Sequence, residues 1–447
     1  MEKTFSADII VVGGGTAGSF FAWRMAQRGY QVLVFEKQKL SDLGKGIEIF
    51  HMEKIRFEEF DLPYPEPPEL IHTETINYTY SPDLKVKIPI KGTFFVMNMP
   101  LFIQRLQNYA RQSGAVYHEN TIIDEPVIED NALVGVRGKQ NGETFEAQAK
   151  LIVDASGLAS AVRTQLPGSL YAENQPVPAE KCLYVCLELR SEIPEGYPTG
   201  SNGYMYHKAF WNKSYGTDVI LGIGQPISFE HAWQKHKEWR ETYFGDPGVV
   251  VGTRQGAIPF TRPPFSLIGN RFMVIGDAAN QNKPFSGEGV TSGFTAASIA
   301  VDVADAALKR GDLSLKGLWP YNMRYQTGQG AKFAASLAQL PATVELSQKD
   351  VNYLFHKGII FTSEDFERLN QNYEIVFSPP KLIKIALTLI WGVITMRFSL
   401  RSLITFMKAS SLAGKIKAHY LDYPKDPADF QPWADRAKRL WNETGTN

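Results

Sequence analysis

One turn near the start of the chain constrains the fold more than any other feature. Residues 8–12, DIIVV, form a short apolar run of the kind expected for a strand buried on both faces. The run opens into Gly13-Gly14-Gly15-Thr16-Ala17-Gly18, then a segment whose apolar positions Phe21, Ala22, Met25 and Ala26 suit one helix face. Gly29 ends that helix, and residues 31–37, QVLVFEK, read as a second strand that carries Glu36 and Lys37 at its end. Strand, Gly-x-Gly-x-x-Gly, helix, strand and acid is the order a dinucleotide requires. Gly13 permits the tight turn, Gly15 lets backbone approach a pyrophosphate, and Gly18 allows close helix packing. The helix N-terminus, with Thr16 and Ala17 in its first turn, offers N–H groups and a positive dipole end to the phosphates. Glu36 can accept both ribose hydroxyls, which disfavours a 2′-phosphate and leaves FAD and NAD as ligands of this turn.

Two distant segments bear on that choice. Residues 151–163, LIVDASGLASAVR, read as an apolar strand ending in Asp154, followed by Gly157, Ser160 and Arg163. Residues 271–308 begin as a strand, turn at Gly276-Asp277, and pass Pro284 and a second glycine-rich turn, Gly287-Glu288-Gly289. From Val290 they continue as a helix rich in small residues. An acid at a strand end can bind ribityl hydroxyls, and a second helix N-terminus can face the pyrophosphate and the polar edge of a flavin ring.

GGGTAG with Glu36, DASGLASAVR and GDAANQNKP resemble, in order, the three FAD motifs of the flavoproteins that share the p-hydroxybenzoate hydroxylase fold. The resemblance implies an α/β fold: a Rossmann-like FAD-binding domain, an inserted antiparallel β-sheet substrate domain and a helical C-terminal region. It also implies non-covalent FAD. Ala17, Gly18 and Glu36 would hold the ADP half, Asp277 the ribityl–pyrophosphate region, and Gly289 with Val290 the isoalloxazine. Gly13, Gly15, Thr16, Lys37, Ile123, Asp154, Gly157, Gly276, Pro284 and Gly287 complete the expected cofactor set.

Within that superfamily the chain is similar to the geranylgeranyl reductase family, which saturates double bonds of isoprenoid chains on lipids and quinones. The similarity rests on SNGYMYHKAF, residues 201–210, followed by VILGIGQP, residues 219–226, beside the family's Tyr-x-Trp-x-Phe-Pro-Lys segment and Gly-x-Gly strand. Tyr206 stands in place of the Trp, the Phe-Pro pair is absent, and the loop DLGKGIEIF lacks the cysteine many members carry. Tyr204, Tyr206, Lys208 and Phe210 are the expected substrate-lining residues, with a core or sheet-surface role as the alternative for each aromatic.

The 447 residues are enough for more than one domain. The Pro-rich stretch DLPYPEPPEL, residues 61–70, reads as an extended connector. The expected division is FAD-binding parts at 1–61, 99–176 and 263–330, substrate-domain parts at 62–98 and 177–262, and a helical region at 331–447. Residues 382–408 are the most apolar stretch, yet their uninterrupted portion is about a dozen residues, short of the roughly twenty that span a bilayer. Lys381, Lys384, Arg397, Arg401 and Lys408 flank it. Residues 381–408 therefore read as a helix covering the cavity, a dimer surface or a peripheral membrane contact, with oligomeric state open.

Lysine plus arginine equals aspartate plus glutamate at 47 each, so the net charge gives no electrostatic reason to expect a nucleic-acid partner, a small local basic patch aside. The two cysteines, Cys182 and Cys186, fit neither a redox pair nor a zinc site and read as strand residues. No metal is expected, and His231 and His236 read as surface residues on a charged helix. The N-terminus reads as lacking a signal peptide, which gives a cytoplasmic setting, alternatively peripheral on the inner face of a membrane. The expected function is FAD-dependent reduction or dehydrogenation of a carbon–carbon double bond in a hydrophobic, isoprenoid- or lipid-like substrate, by hydride transfer at flavin N5. The alternatives are an FAD-dependent monooxygenase of an aromatic or lipid substrate and a flavoprotein carrying electrons to quinone. No second Gly-x-Gly-x-x-Gly follows a strand, so the electron donor is expected to be NAD(P)H docking transiently or a protein such as ferredoxin. No catalytic residue is singled out.

Overall fold

A computed structural model describes the chain apart from residues 1–2, 172, 198–199, 203–206, 212–215, 345, 360–361, 375 and 446–447. The apolar run at 8–12 ends the strand Lys3–Val12 in the middle of a largely parallel sheet. Val32–Phe35 and then Val116–His118 lie on one side of it, Glu143–Asp154 and then Phe272–Val274 on the other. Ile9, Ile10 and Val11 are fully buried, as a strand covered on both faces requires. The helices Met99–Gln112 and Val290–Arg310 both pack on helix Thr16–Ala26, and Phe20 stacks on Phe294 with ring centroids 4.5 Å apart. An antiparallel hairpin, Thr121–Glu129 with Ala132–Gln140, extends the sheet through Glu143–Asp154.

Register decides where a site can form. Val12 lies opposite Phe35 on one side and Asp154 on the other, and Val274 lies opposite Asp154. The carboxyl ends of these four strands are therefore level. The loops beginning at Gly13, Glu36, Ala155 and Ile275 leave the sheet side by side, at the crevice where open α/β sheets bind ligands.

The second sheet runs in the order Val249–Pro259, Cys182–Ser191, Val219–Gln225, His207–Trp211, Gly200–Asn202, Leu70–Tyr80, Lys87–Asn98, Ile49–Glu53. Its pairings are antiparallel except that Gly200–Asn202 joins Leu70–Tyr80 in parallel, and Ile49–Glu53 brings residues upstream of position 62 into it. Alternation along Cys182–Ser191 divides the sheet's two faces. Leu183, Val185 and Leu187 face a cavity. Cys186 packs with Ile223, Ala232 and Trp239 beneath helix Phe229–Trp239. Cys182 and Cys186 are free and buried, and burial pushes both thiols up, Cys186 to about 12.

His236 departs from expectation. It is 1% exposed, bonded through Nε2 to the Leu221 carbonyl at 3.2 Å, and burial lowers its pKa. Its helix turns Ala232, His236 and Trp239 toward the sheet, so the charged composition of that helix describes only its outer face.

The C-terminal third is helical. Leu400–Leu421 packs on Ala331–Val344, and Tyr420, Trp433 and Trp441 join the main core. Helix Pro379–Ile394 is held to a smaller cluster by Ile385 and Leu389, together with Leu354, Phe355 and Phe398. Its opposite side is exposed: Ile383, Leu387, Trp391 and Ile394 follow one another at helical spacing, and Met396, just beyond, is 82% exposed. Arg397, Arg401 and Lys408 are exposed beside them, whereas Lys381 is tied to the buried carboxylate of Asp365 and belongs to the fold. No helix among the described residues is long and apolar enough to cross a membrane.

Candidate functional site

The level strand ends and the inner face of the second sheet enclose one cavity of about 540 Å³. At its sheet end, Gly13 has φ +108°, and a Cβ there would sit 2.3 Å from the Ala155 carbonyl oxygen. Glycine is thus required by backbone conformation and by the loop arriving from the neighbouring strand. A Cβ on Gly18 would lie 2.1 Å from the Gly13 carbonyl, which is how closely helix and turn approach. Gly15 differs: nothing lies within 4 Å of where its Cβ would be, and it caps helix Thr16–Ala26 with no side chain covering the first amides. Open space over uncovered helix N–H groups is the cradle a pyrophosphate needs.

Glu36 is 5% exposed and lines the same end. Its Oε2 accepts from the Gly14 amide at 2.8 Å and its Oε1 from the Gln38 amide at 2.9 Å, so the carboxylate is oriented before any ligand arrives. Each oxygen keeps a further lone pair toward the cavity. Asp154, by contrast, does not reach the cavity. Its Oδ1 accepts from the amide and hydroxyl of Ser156, and its Oδ2 from the amides of Val162 and Arg163. All four bonds fold the 155–163 loop over the strand end, presenting Ala155, Ser156 and Gly157 to the cavity instead.

At the far side of the pyrophosphate cradle, Asp277 faces the cavity. Burial pushes its carboxyl up to about 6, opposed by a hydrogen bond from Asn282. The next turn, residues 283–289, is built on charge. Lys283, buried, donates to Glu288 Oε2 at 3.0 Å and lies 3.8 Å from Glu53. Burial alone would lower the Lys283 pKa, but the two carboxylates outweigh it and hold the ammonium charged, above its ordinary value. Glu288 Oε1 lies 3.3 Å from His51 Nε2, and Ser286 donates to Oε2 at 3.2 Å. Helix Val290–Arg310 then begins at Gly289 without a side-chain cap, aiming its amides into the cavity.

The residues present fit FAD. Among the described residues Asn282 Oδ1 is a buried polar atom without a hydrogen-bond partner, and Asn282 lines the cavity beside this turn. A Cβ on Gly289 would fill the space there, 2.3 Å from Asn282 Oδ1 and 2.9 Å from Asp277 Oδ1. An uncapped helix start and an unsatisfied amide oxygen suit the polar edge of a flavin ring, whose N–H and carbonyl groups need such partners.

Beyond Gly287 the cavity becomes apolar. Leu183, Val185, Leu187, Ile220 and Ile258 line it. Gly222, paired with Leu187, and Gly224, paired with Val185, leave room for side chains of the adjoining strand. A Cβ on Gly222 would sit 2.3 Å from Leu187 Cδ2, and one on Gly224 would sit 2.8 Å from Leu183 Cδ2.

Of the residues singled out by sequence, the cavity brings together Gly13, Gly15, Thr16, Ala17, Glu36, Lys37, Gly157, Gly276, Asp277, Gly287, Gly289 and Val290. Gly18, Ile123, Asp154 and Pro284 do not line it. Gly18 supports the turn, and Ile123 is buried in the hairpin strand Thr121–Glu129. Tyr204 and Tyr206 lie outside the described residues; Lys208 and Phe210 stand in the strand His207–Trp211 opposite Gly222 and Ile220. Sequence reasoning missed His51, Lys283 and Glu288. The last two sat inside quoted motifs and could have been flagged as charges in an otherwise small-residue segment, whereas His51 carries no motif and arrives by tertiary pairing.

Comparison with known proteins agrees with this construction. Residues 11–51 match the family described as NAD(P)-binding Rossmann-like domain. The chain is 26% identical to the digeranylgeranylglycerophospholipid reductase of Sulfolobus acidocaldarius across 99% of this chain and 98% of that protein. Among solved structures, a geranylgeranyl bacteriochlorophyll reductase-like protein of Thermoplasma acidophilum superposes with a TM-score of 0.69 at 16% identity, covering 85% of this chain and 96% of the other. A flavin-dependent brominase superposes with a TM-score of 0.63 at 15% identity, over 86% and 98% of the two chains. At such identities the superpositions establish the fold. Across its full length the chain is thus similar in sequence to a digeranylgeranylglycerophospholipid reductase, and in fold to a geranylgeranyl bacteriochlorophyll reductase-like protein.

Proposed function

We propose that this protein reduces carbon–carbon double bonds of an isoprenoid lipid with electrons taken from FAD. The observation that carries the reading is continuity: one cavity joins a nucleotide cradle to a wall of Leu183, Val185, Leu187, Ile220 and Ile258. A polyprenyl chain offers apolar surface and no hydrogen-bonding groups, and this wall asks for none. The similarity to a reductase named for a digeranylgeranyl lipid points the same way.

Bound FAD supplies the hydride chemistry, as flavins do. The chain's own residues bind, orient and exclude water. Gly13, Gly15, Thr16 and Ala17 cradle the pyrophosphate and Glu36 takes the ribose. Asp277 and the 287–290 turn orient the ring end, and the leucine-rich wall keeps bulk water from the reacting carbons. The substrate domain comprises the second sheet, whose strand His207–Trp211 carries Lys208 and Phe210 beside Gly222 and Ile220. NAD(P)H docking in the cleft or a ferredoxin-type protein delivers the electrons.

The exposed side of helix Pro379–Ile394, with Met396, Leu400 and Met407 after it, is the surface on which the protein meets a lipid bilayer from its cytoplasmic side. Apolar residues at helical spacing, bordered by Arg397, Arg401 and Lys408, suit insertion to headgroup depth beside anionic lipid.

Two measurements test the reading. The FAD-loaded protein is reduced anaerobically with dithionite and mixed with vesicles containing digeranylgeranylglyceryl phosphate; the flavin should reoxidise and the lipid should gain two hydrogens per turnover. Oxygen-dependent hydroxylation, or reoxidation with the lipid unchanged, would overturn it. Sedimentation with phosphatidylglycerol vesicles should fall about tenfold for Leu387→Glu/Trp391→Glu, and unchanged sedimentation rejects the bilayer surface.

A further inference from the structure

Saturating a double bond requires more than a hydride. The π bond breaks, one carbon takes hydride and with it the two electrons lost by reduced flavin, and the other carbon takes a proton. Resting on the reading above, we propose that His51 is the group that delivers this proton, from its imidazolium to the substrate carbon, with Glu288, which contacts Nε2, as its positioning residue.

Placement carries the argument. His51 and Glu288 both line the cavity, and Glu288 sits between two glycines that face opposite ends of it. A Cβ on Gly289 would touch Asn282 and Asp277 at the nucleotide end; one on Gly287 would lie 2.9 Å from Ile258 and 3.2 Å from Leu183 at the apolar end. The 3.3 Å contact from Glu288 Oε1 to His51 Nε2 therefore holds the imidazole at the junction, where hydride donor and alkene must meet. The ring is further fixed edge-on against Phe94, with centroids 5.8 Å apart.

The other titratable groups in the cavity lining are less suited. Glu36 and Lys37 stand at the ribose end, and Asp277 is bonded to Asn282 beside the pyrophosphate cradle. Lys283 is held as an ammonium by Glu288 and Glu53, so its proton is bound too firmly to give up. His51 is the titratable side chain that Glu288 contacts at the junction of the two ends. After transfer the neutral imidazole regains a proton from water, since His51 is 22% exposed. Glu288, anchored from behind by Lys283 and Ser286, keeps the ring aimed through each cycle.

The test uses the FAD-loaded full chain. His51→Gln should bind FAD and accept electrons from dithionite as the wild type does. Its lipid-dependent flavin reoxidation should slow by about 100-fold or more, with KM altered less than about threefold. Free imidazole should restore part of the rate in His51→Ala. In the protein without FAD, diethylpyrocarbonate should modify His51, mapped by mass spectrometry, and digeranylgeranylglyceryl phosphate should protect it. Wild-type rates in His51→Gln, no acceleration of His51→Ala by imidazole, or modification that the lipid does not slow would each overturn the assignment. Failure of the wild type to reduce the lipid at all would instead reject the proposed function.

Discussion

At the nucleotide end of the cavity the recognising groups are mostly backbone. Amides at the start of two helices point inward, glycines keep side chains out of the way, and Glu36 is fixed by the Gly14 and Gln38 amides before a ligand arrives. At the other end the recognising groups are side chains on strands, Leu183, Val185, Leu187, Ile220 and Ile258, with glycines at 222 and 224 sized to the leucines beside them. Backbone geometry suits a ligand whose phosphates and ring edge never change. A side-chain wall can be resized by single substitutions without disturbing the fold beneath it. The comparison teaches that cofactor and substrate selection are separable here, so variants at the two ends should fail in different ways.

The sharpest break in that comparison is Gly15→Val. Open space surrounds the position where its Cβ would stand, so the variant should fold and melt close to wild type. The side chain would nevertheless occupy the cradle, and FAD affinity should fall about a thousandfold, or about 4 kcal/mol. Gly18→Ala makes the contrast. Its Cβ would press on the Gly13 carbonyl at 2.1 Å, so it should lose folding stability as well as cofactor. Fluorescence titration of FAD alongside thermal melts of the FAD-free proteins separates the two. A Gly15→Val protein that purifies yellow would remove the basis for the cofactor site.

A smaller effect sharpens the boundary between the ends. Asp277 ionises at about 6 in the folded chain because burial disfavours its charge, against an ordinary value of 3.8 in the unfolded chain. Below pH 3.8 both states carry the proton. Between that value and about 6 the unfolded state ionises first, so stability drains away as pH rises, and the loss is complete above the folded value. Asn cannot ionise. Asp277→Asn should therefore gain on the wild type across this window, by on the order of 3 kcal/mol above pH 7. Urea unfolding of the FAD-free proteins at pH 4 and pH 7.5 measures it. A stability difference independent of pH would mean that Asp277 is not isolated from solvent.

The two ends were also unequally legible in the sequence. Gly13, Gly15, Gly18 and Glu36 announce their roles because a dinucleotide turn imposes residue types at fixed local spacing, and a local pattern survives in one dimension. Asp154 shows the limit of that logic. Its place at a strand end was readable, but its four bonds go back into its own loop, a choice that depends on how residues 155–163 fold. The apolar wall is written across strands far apart in sequence, where alternation marks a face without saying what it faces. His51 is the extreme case. Only the pairing of Ile49–Glu53 with Lys87–Asn98 brings it to the cavity. His236 was misread for the same reason, since burial is decided by the sheet its helix covers.

Gly222→Val asks whether the substrate end can be changed alone. Gly222 is paired with Leu187, and even a single added methyl carbon would stand 2.3 Å from Leu187 Cδ2. The leucine must swing aside, and the cavity face is the direction in which the wall has room. Valine should therefore narrow the apolar end and overpack the sheet, at a cost of about 1–3 kcal/mol in stability. Affinity for digeranylgeranylglyceryl phosphate should drop roughly tenfold, about 1.4 kcal/mol, while FAD affinity stays unchanged. A shorter prenyl lipid should lose less, because the obstruction lies on the wall away from the ring. Equal losses for long and short lipids would place the long chain elsewhere, and a fall in FAD affinity would show that the two ends are coupled through the strand Cys182–Ser191 and the 287–290 turn that packs on it.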